Sequence, residues 1–478
     1  MEPFDRLAAQ GAMIERLTAD SRRCAPGTAF FAYPGEKADG RHYIGDALAR
    51  GAAAVLWEAE GFQWRNEWRI PNLAVPGLKQ RAGVLAADFH GRPSEHLWMC
   101  GVTGTNGKTS CSQWIAAALG RHGVRAGVIG TLGNGFPGAL HEAGNTTPDA
   151  LDLQATLREL RSGGARAAAM EVSSHGLVQG RVNGVRFSSA LFTNLSHDHL
   201  DYHGTMQAYG EAKAQLFLMD GLQSVVLNLD DPFGRELARR LAGRVRTIGY
   251  SLEGIERGVV DGALSLDAGL ELESSWGKGR LACRQVGRFN LSNILGVVGV
   301  LVAHGLQLRD ALTLVADLPD VPGRMEVVGE RPLIVVDYAH TPDALEKVLA
   351  TLRPVATQRS GQLVVVFGAG GDRDPAKRPV MGSAASRGAD RVYITSDNPR
   401  SEDPAAIIGA VARGASGAPR LEPDRRLAIE AAVADAAPED VVLIAGKGHE
   451  SYQEVRGERQ PFSDQAVARA ALAMRGRQ

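Results

Sequence analysis

The hexapeptide GTNGKT at 104–109 concentrates more chemistry than any other stretch of this chain. Gly104 and Gly107 permit a backbone that wraps a phosphate and turns its N–H groups inward. A helix starting directly after the loop would add the positive end of its dipole. Lys108 is placed to reach the β- and γ-phosphates of a nucleotide, and the Thr109 hydroxyl to ligate Mg²⁺. Thr105, Asn106 and Ser110 complete the expected phosphate-binding set. The general Walker spelling is not met, because the position five before Gly107 is Val102 rather than Gly. The loop is a shorter GxxGK(S/T) form. A chance Gly-rich turn is the bland alternative. Against it stands the context: the apolar run 97–102 reads as a strand entering the loop, and 108 to about 120 as a helix leaving it.

Two further segments carry carboxylates and imidazoles. EVSSH at 171–175 follows the strand-like run 167–172, and functional residues of open α/β sheets gather at the carboxyl ends of strands. Glu171 is thereby expected as a hard oxygen ligand for Mg²⁺. Taken alone, a solvated loop carboxylate is an equal reading. NLSHDHLDYH at 194–203 sets three histidines and two aspartates within seven residues, behind the strand-like run 189–193. This is expected to be a metal or catalytic cluster. Zinc is the alternative, but carboxylates beside a nucleotide loop favour Mg²⁺.

Such loops need strands and helices to hold them. With 478 residues the chain is too long for one core, and two or three domains are expected. Strand-like runs at 30–33 and 53–56, a helical stretch at 78–89 and the punctuated link HGRPS at 90–94 mark a first domain, 1–93. The βα alternation through 167–172, 189–193 and 224–228 implies a mainly parallel sheet with helices on both faces. The Pro-rich segment LPDVPG at 318–323 ends this domain, placed at 94–321. A new alternation, with strands at 333–336, 363–367, 391–395 and 441–444, predicts a Rossmann-like domain over 322–478. The expected fold class is α/β in three domains.

Composition narrows the function classes. A net charge of -1 leaves no basic surface for a large nucleic-acid footprint. Cys24, Cys100, Cys111 and Cys283 lie far apart and form no CxxC, so neither a disulfide framework nor a zinc ribbon is expected, and a reducing cytosol fits. The N-terminus, MEPFDRLAAQ, lacks the basic head and apolar run of a signal peptide. The longest apolar stretch, 295–303, is well short of the ~20 residues of a spanning helix. A soluble cytoplasmic enzyme, acting as a monomer without nucleic acid or membrane, is the expectation.

TGTNGKT, EVSSHGL and NLSHDHLDYHG, then GRFNLSN, PGRME and DYAHTPD, occur in that order across the whole chain. Together they resemble the Mur ligase family, and within it the MurE type. The resemblance implies an N-terminal domain that binds a UDP-sugar, a central P-loop ATPase domain and a C-terminal domain that brings the amino acid. It assigns Ser21, within DSR at 20–22, to the UDP-substrate, with EKADG at 36–40 as a weaker match. Asn145, Thr146 and Thr147, then Ser173, Gln179 and Arg181, are implied contacts to the peptide and phosphates. Asn290 and Asn293 correspond to adenine-side residues, and Arg324, Asp337 and His340 to residues closing over the nucleotide. Lys213, in YGEAK, falls where the family carries a carbamylated lysine that would hold a second Mg²⁺ with His199. Without the resemblance, Lys213 reads as a surface salt-bridge lysine.

DNPR at 397–400 bears on the amino acid. The resemblance associates Asp397, Asn398, Pro399 and Arg400 with meso-diaminopimelate. Diaminopimelate has a second carboxylate that lysine lacks, and a guanidinium can grip it bidentately. Lysine would leave the Arg charge unpaired. GKGHE at 446–450 adds Glu450 for the distal ammonium and a Gly446 or Gly448 backbone group, and Arg378 matches a further carboxylate contact. The implied reaction is ATP- and Mg²⁺-dependent. The D-glutamyl side-chain carboxylate of UDP-N-acetylmuramoyl-L-alanyl-D-glutamate becomes an acyl phosphate, which the diaminopimelate amine attacks. Lys108, Lys213 and His199 are the expected catalytic residues, and Thr109, Glu171, His199 and Lys213 the expected metal set. A lysine-adding relative or a folylpolyglutamate synthase-like ligase is the near alternative. A nucleotide-driven switch or binding module is the distant one.

Overall fold

The computed structural model describes residues 3–475 except 37, 143, 256–259, 268 and 286. Lys37 of the expected UDP-contacting stretch thus lies outside the described residues. Three large sheets follow one another along the chain.

The first is a four-stranded parallel sheet of Arg16–Thr18, Thr28–Ala32, Ala54–Trp57 and Asn72–Ala74, in sequence order. Its two faces sort the alternating side chains of each strand. Phe31 and Leu56 join Leu78, Leu85 and Ala86 of the helix Leu78–Phe89. Phe30 and Val55 face Ile44 and Ala47 instead.

The second sheet has eleven strands. Its parallel middle runs, in spatial order, Ala126–Gly130, Ala167–Glu171, Trp98–Thr103, Ser189–Phe192, Ser224–Asn228, Arg246–Ser251 and Gly262–Leu266. These strands are apolar on both sides because helices cover both faces. One face packs on the helices Lys108–Arg121 and Arg288–His304, the other on Ala150–Ser162 and Pro232–Leu241. The phosphate-loop strand lies between those that end in Glu171 and in Phe192, with Val102 beside Glu171 and Thr103 beside Phe192. Short antiparallel strands, among them Gly133–Phe136 and Gly277–Arg280, extend both edges. They are Gly-rich and polar, which explains why hydrophobic patterning passes over them.

The third sheet has six strands, ordered Glu326–Glu330, Leu333–Asp337, Val441–Ala445, Leu363–Phe367, Arg391–Ile394 and Arg420–Leu421. All neighbours are parallel except the first pair. Asp337 pairs with Ala445, so the loops after these two strands emerge side by side. A separate hairpin, Tyr452–Val455 with Glu458–Pro461, leans on the loop after Arg391–Ile394 through a bridge between Arg400 and Val455. The apolar stretch 295–303 lies within the helix Arg288–His304, buried against the central sheet. Among the described residues no helix is long and apolar enough to cross a membrane.

Candidate active site

The strand–loop–helix around GTNGKT forms as its sequence requires. Gly104 and Gly107 have φ of +149° and +87°. A Cβ on Gly104 would land on Thr193 Oγ1, and one on Gly107 would sit 2.5 Å from Asn293 Oδ1. Neither position has room for a side chain. The loop is stitched to the end of the neighbouring strand. Thr105 N donates to Asn194 O at 2.8 Å, Asn106 N to Asn194 Oδ1 at 3.1 Å, and Thr193 Oγ1 to Asn106 O at 2.6 Å. Lys108 Nζ curls over the loop to Gly104 O at 2.9 Å and Thr105 O at 2.8 Å. Burial holds its ammonium below the usual lysine range.

Lys213 reaches the same Gly104 carbonyl from behind, at 2.8 Å, and its residue is 1% exposed. Burial, and then the charge of Lys108, push its pKa well down. The surface salt-bridge reading of Lys213 is therefore wrong: the helix Met206–Ala214 turns it inward against Tyr209, whose ring lies 4.3 Å from Nζ.

Thr109 Oγ1 donates to Glu171 Oε2 at 3.0 Å. Glu171, 1% exposed, also accepts from Thr131 N at 2.8 Å and Thr131 Oγ1 at 3.0 Å. It is no solvated loop carboxylate. Beside it, the histidine cluster divides. Asp198 is buried, accepts from His199 N at 2.9 Å and pairs with Lys377 of the third sheet's unit. Burial would raise the Asp198 pKa, but His199, His340 and Lys377 outweigh it and hold the carboxylate ionised. His199 is held below the ordinary histidine range, first by burial. His203 turns away to Ser174 Oγ at 2.9 Å. Among the described residues no three His, Cys, Asp or Glu side chains converge as a metal cage.

Behind Glu171, Thr147 Oγ1 donates to Glu171 O at 3.0 Å and accepts from Ser173 N at 3.0 Å. Arg181 donates to Thr147 O at 2.8 Å and to Gln179 Oε1 at 2.7 Å. Thr146 pairs with Thr131 across hydroxyls 3.1 Å apart, while Asn145 is exposed. Ser21 is nearly buried in a turn capped by Asp20. Asn290 and Asn293 occupy the first turns of the helix Arg288–His304. Arg324 stacks 4.3 Å from the Tyr338 ring and donates to Thr109 Oγ1 at 3.1 Å. Asp337, raised by burial, accepts from Met325 N and Ala339 N, each at 2.8 Å. His340 Nδ1 lies 2.8 Å from Tyr338 O.

At the far end, Arg400 has φ +52° and donates to Gly371 O at 2.6 Å. Arg378 pairs with Glu402 at 2.7 Å, and its buried Nε has no partner among the described residues. Asp397 Oδ1 accepts from Asn398 N at 2.7 Å, and its buried Oδ2 has no hydrogen-bond partner among the described residues. The Pro399 carbonyl accepts from Glu402 N at 3.0 Å. Gly446 N donates to Asp337 O at 3.1 Å, which ties together the loops after the strands Val441–Ala445 and Leu333–Asp337. Glu450 Oε2 accepts from Asn398 Nδ2 at 2.8 Å and from Lys447 Nζ at 3.0 Å.

One cavity of about 1180 Å³ joins these ends: Thr105–Ser110 and Glu171 at one side, Asn290 and Asn293 along it, Arg324 and Asp337 across it, and Arg378, Arg400, Gly446 and Glu450 at the other. Thr146, Ser173 and His199 line it. Ser21, Asn145, Thr147, Gln179, Arg181, Lys213 and Pro399 do not. Sequence reasoning passed over Lys377, Asp343 and Lys447. The first two bridge units, Asp343 through Asn106 Nδ2 at 3.1 Å. Their only local signal is the neighbourhood of Arg378 and of DYAHTPD.

Three family models match along the chain: the Mur ligase family catalytic domain at 13–90, the Mur ligase middle domain at 102–301 and the Mur ligase glutamate ligase domain at 323–448. A protein of Chromobacterium violaceum, UDP-N-acetylmuramoyl-L-alanyl-D-glutamate--2,6-diaminopimelate ligase, is 52% identical over 98% of this chain and 96% of its own length. This chain belongs to the Mur ligase family. Mur ligases form amide bonds with the hydrolysis of ATP, so the chain is an ATP-dependent ligase. The same-named Mur ligase of Pseudomonas aeruginosa is 51% identical over 96% of this chain and 95% of its own length. A solved structure of a Mur ligase with that name superposes with a TM-score of 0.67 at 38% identity, covering 97% of this chain and 95% of the other.

Proposed function

We propose that this Mur ligase adds meso-2,6-diaminopimelate to the D-glutamate side-chain carboxylate of UDP-N-acetylmuramoyl-L-alanyl-D-glutamate, in the cytoplasmic synthesis of peptidoglycan precursors. The similarity to relatives of that name over nearly the whole chain supports it. One observation carries the chemistry: a single cavity has a phosphate loop at one end and a guanidinium and a carboxylate, Arg400 and Glu450, at the other. The stretches 1–93, 94–321 and 322–478 are read as the UDP-sugar, ATP and amino-acid domains, each centred on one sheet.

Residue roles follow from position. Backbone amides of 104–110 and Lys108 grasp the triphosphate, with Asn290 and Asn293 toward the adenine and Arg324, Asp337 and His340 across from it. Thr146, Thr147, Ser173, Gln179 and Arg181 form a hydrogen-bonded wall beside Glu171 suited to the acidic peptide, with Asn145 at its rim and Ser21 toward the UDP end. Mg²⁺ fits the donor set at the loop, a buried carboxylate and a hydroxyl 3.0 Å apart, which are hard oxygen ligands. Such an ion would supply charge neutralisation for the phosphates. His199 and Lys213 are the candidates for a second ion. A deprotonated Lys213 amine can add to CO₂ and lose a proton, becoming an anionic carbamate. Its burial favours the neutral amine that this addition needs.

The chain's own part in catalysis is placement and charge. The glutamyl carboxylate attacks the γ-phosphorus and ADP leaves. The diaminopimelate amine then attacks the acyl phosphate carbonyl, and phosphate leaves. Arg378, Arg400 and Glu450, with Asp397, Asn398, Pro399 and Gly446 shaping the loop, hold the distal zwitterionic head so that the other amine points toward the nucleotide. Contacts across the cavity from Arg324 and Lys377 exclude water from the acyl phosphate. The test is the mass of the product after incubation with ATP, Mg²⁺ and the UDP-linked dipeptide, with diaminopimelate or lysine offered separately. Addition of diaminopimelate alone is expected. Equal use of lysine would overturn the specificity reading. ATP hydrolysis without product would favour a nucleotide-driven switch.

A further inference from the structure

Lys447 is a lysine with a 0% exposed side chain in a loop that forms one wall of the cavity. A buried ammonium persists only where acceptors surround it. Lys447 Nζ donates to Asn398 Oδ1 at 2.9 Å and to Glu450 Oε2 at 3.0 Å, and lies 5.6 Å from the centre of the Tyr452 ring. Asn398 Nδ2 closes the triangle by donating to the same Glu450 oxygen at 2.8 Å. An ammonium can only donate, so the Asn398 carbonyl must face it, and the amide N–H₂ must face Glu450. The second lone pair of Asn398 Oδ1 takes Glu454 N at 3.0 Å, which fastens the hairpin to the same point. The lysine has no freedom to leave. Its flanking residues, Gly446 and Gly448, have φ of +119° and +54°, and a Cβ on either would sit 2.5 Å from Asp397 Oδ2 or 2.7 Å from Tyr338 Cβ.

We infer that Lys447 is a positioning and specificity-determining residue, which neutralises Glu450 in advance and so makes the site select a zwitterionic side-chain head over a lone ammonium. The inference rests on the reading that Arg400 and Glu450 receive that head. Among the described residues Glu450 Oε2 accepts twice, and Oε1 remains for the ligand. With Lys447 beneath it, the carboxylate is already balanced. An incoming side chain that carries only an ammonium adds a net positive charge next to Lys447 and offers Arg400 no carboxylate. A head with both an ammonium and a carboxylate adds no net charge and serves both. An unpaired Glu450 would instead attract any cation.

The experiment measures kcat and KM for diaminopimelate and for lysine in wild type, Lys447→Met and Lys447→Arg, with KM for ATP and thermal unfolding alongside. In Lys447→Met the KM for diaminopimelate should rise roughly tenfold, because Asn398 and Glu450 lose the charge-assisted contact that fixes their orientation toward the zwitterionic head. The ratio of kcat/KM for diaminopimelate over lysine should fall by about the same factor, with KM for ATP unchanged. Lys447→Arg should restore most of the ratio. If Lys447→Met does not fold, Lys447→Gln, which keeps a donor but not the charge, should show the same fall. An unchanged ratio in a folded, uncharged variant, or equal losses for both amino acids, would overturn the inference. If the wild type itself fails to use diaminopimelate, the functional reading falls instead.

Discussion

Lys108 spends its donors on Gly104 O and Thr105 O. A phosphate would replace these neutral acceptors with charged ones, which suits a group whose charge is needed only when nucleotide is present. Lys108→Ala should therefore reduce turnover by roughly 10²–10³-fold, the usual effect of removing one stabiliser of transition-state charge. Steady-state ADP release checks this, and near-normal activity would dismiss the phosphate-loop assignment. Arg400 is held in the left-handed region and tethered to Gly371 O, so its guanidinium is aimed rather than free. Arg400→Ala should raise KM for diaminopimelate by about 10–100-fold, the equivalent of one charged hydrogen-bonding group, and leave ATP affinity as it was. Both residues stand out in short motifs, but only Lys108 is held within its own turn; Arg400 is tethered 29 positions away. Lys213 and Lys447 cannot be read so: a lysine looks alike in sequence whether it is solvated or fully buried.

Elements deliver these residues by ending at the right place. The strand Ala167–Glu171 is buried throughout and stops at the carboxylate, and the helix Ala150–Ser162 that covers it is capped by Asp149. At the end of the helix Leu78–Phe89, His90 is pushed down to about 4, first by burial and then by Arg158, and its buried Nδ1 has no hydrogen-bond partner among the described residues. The folded state thus binds its proton less readily than the unfolded chain. The stability this contributes is present above the unfolded pKa near 6.5 and is lost as pH falls through about 4. The unfolding temperature should drop between these values, and His90→Gln should flatten that drop in a calorimetric pH series. An identical slope would remove His90 from the explanation. Apolar runs revealed the central strands within a residue or two, as with Trp98–Thr103 and Val441–Ala445. The edge strands and the hairpin Tyr452–Val455 with Glu458–Pro461 carry no such run, since half-exposed polar residues gain little from burial.

At the scale of the whole molecule, three contacts close the cavity between the second and third sheets: Arg324 to Thr109, Asp343 to Asn106, and Lys377 to Asp198. The last is largely buried, at 14% and 7% side-chain exposure, so removing one partner strands the other charge. Lys377→Ala should loosen the two units, giving a larger radius of gyration by small-angle scattering without nucleotide, and a higher KM for the amino acid. Unchanged scattering would show that the ion pair does not hold the units together. The first unit is joined differently, by the paired hydrogen bonds of Arg23 with Asp152 at 2.7 and 2.9 Å and by Tyr202 OH to Glu36 at 2.6 Å.

The chain's own order of residues settled the phosphate loop, the alternation of parallel strands with helices and the family motifs. All of these depend on neighbours a few positions apart, where glycine geometry, apolar periodicity and strand–turn–helix spacing act. Folding alone decided which charges meet. Lys377 and Asp198 lie 179 positions apart, and Lys447 finds Asn398 across 49. Sheet order brings those strand ends together, and the low dielectric around them strengthens the contacts that three lysines make there: Lys377 with Asp198, Lys213 with the Gly104 carbonyl, and Lys447 with Asn398 and Glu450.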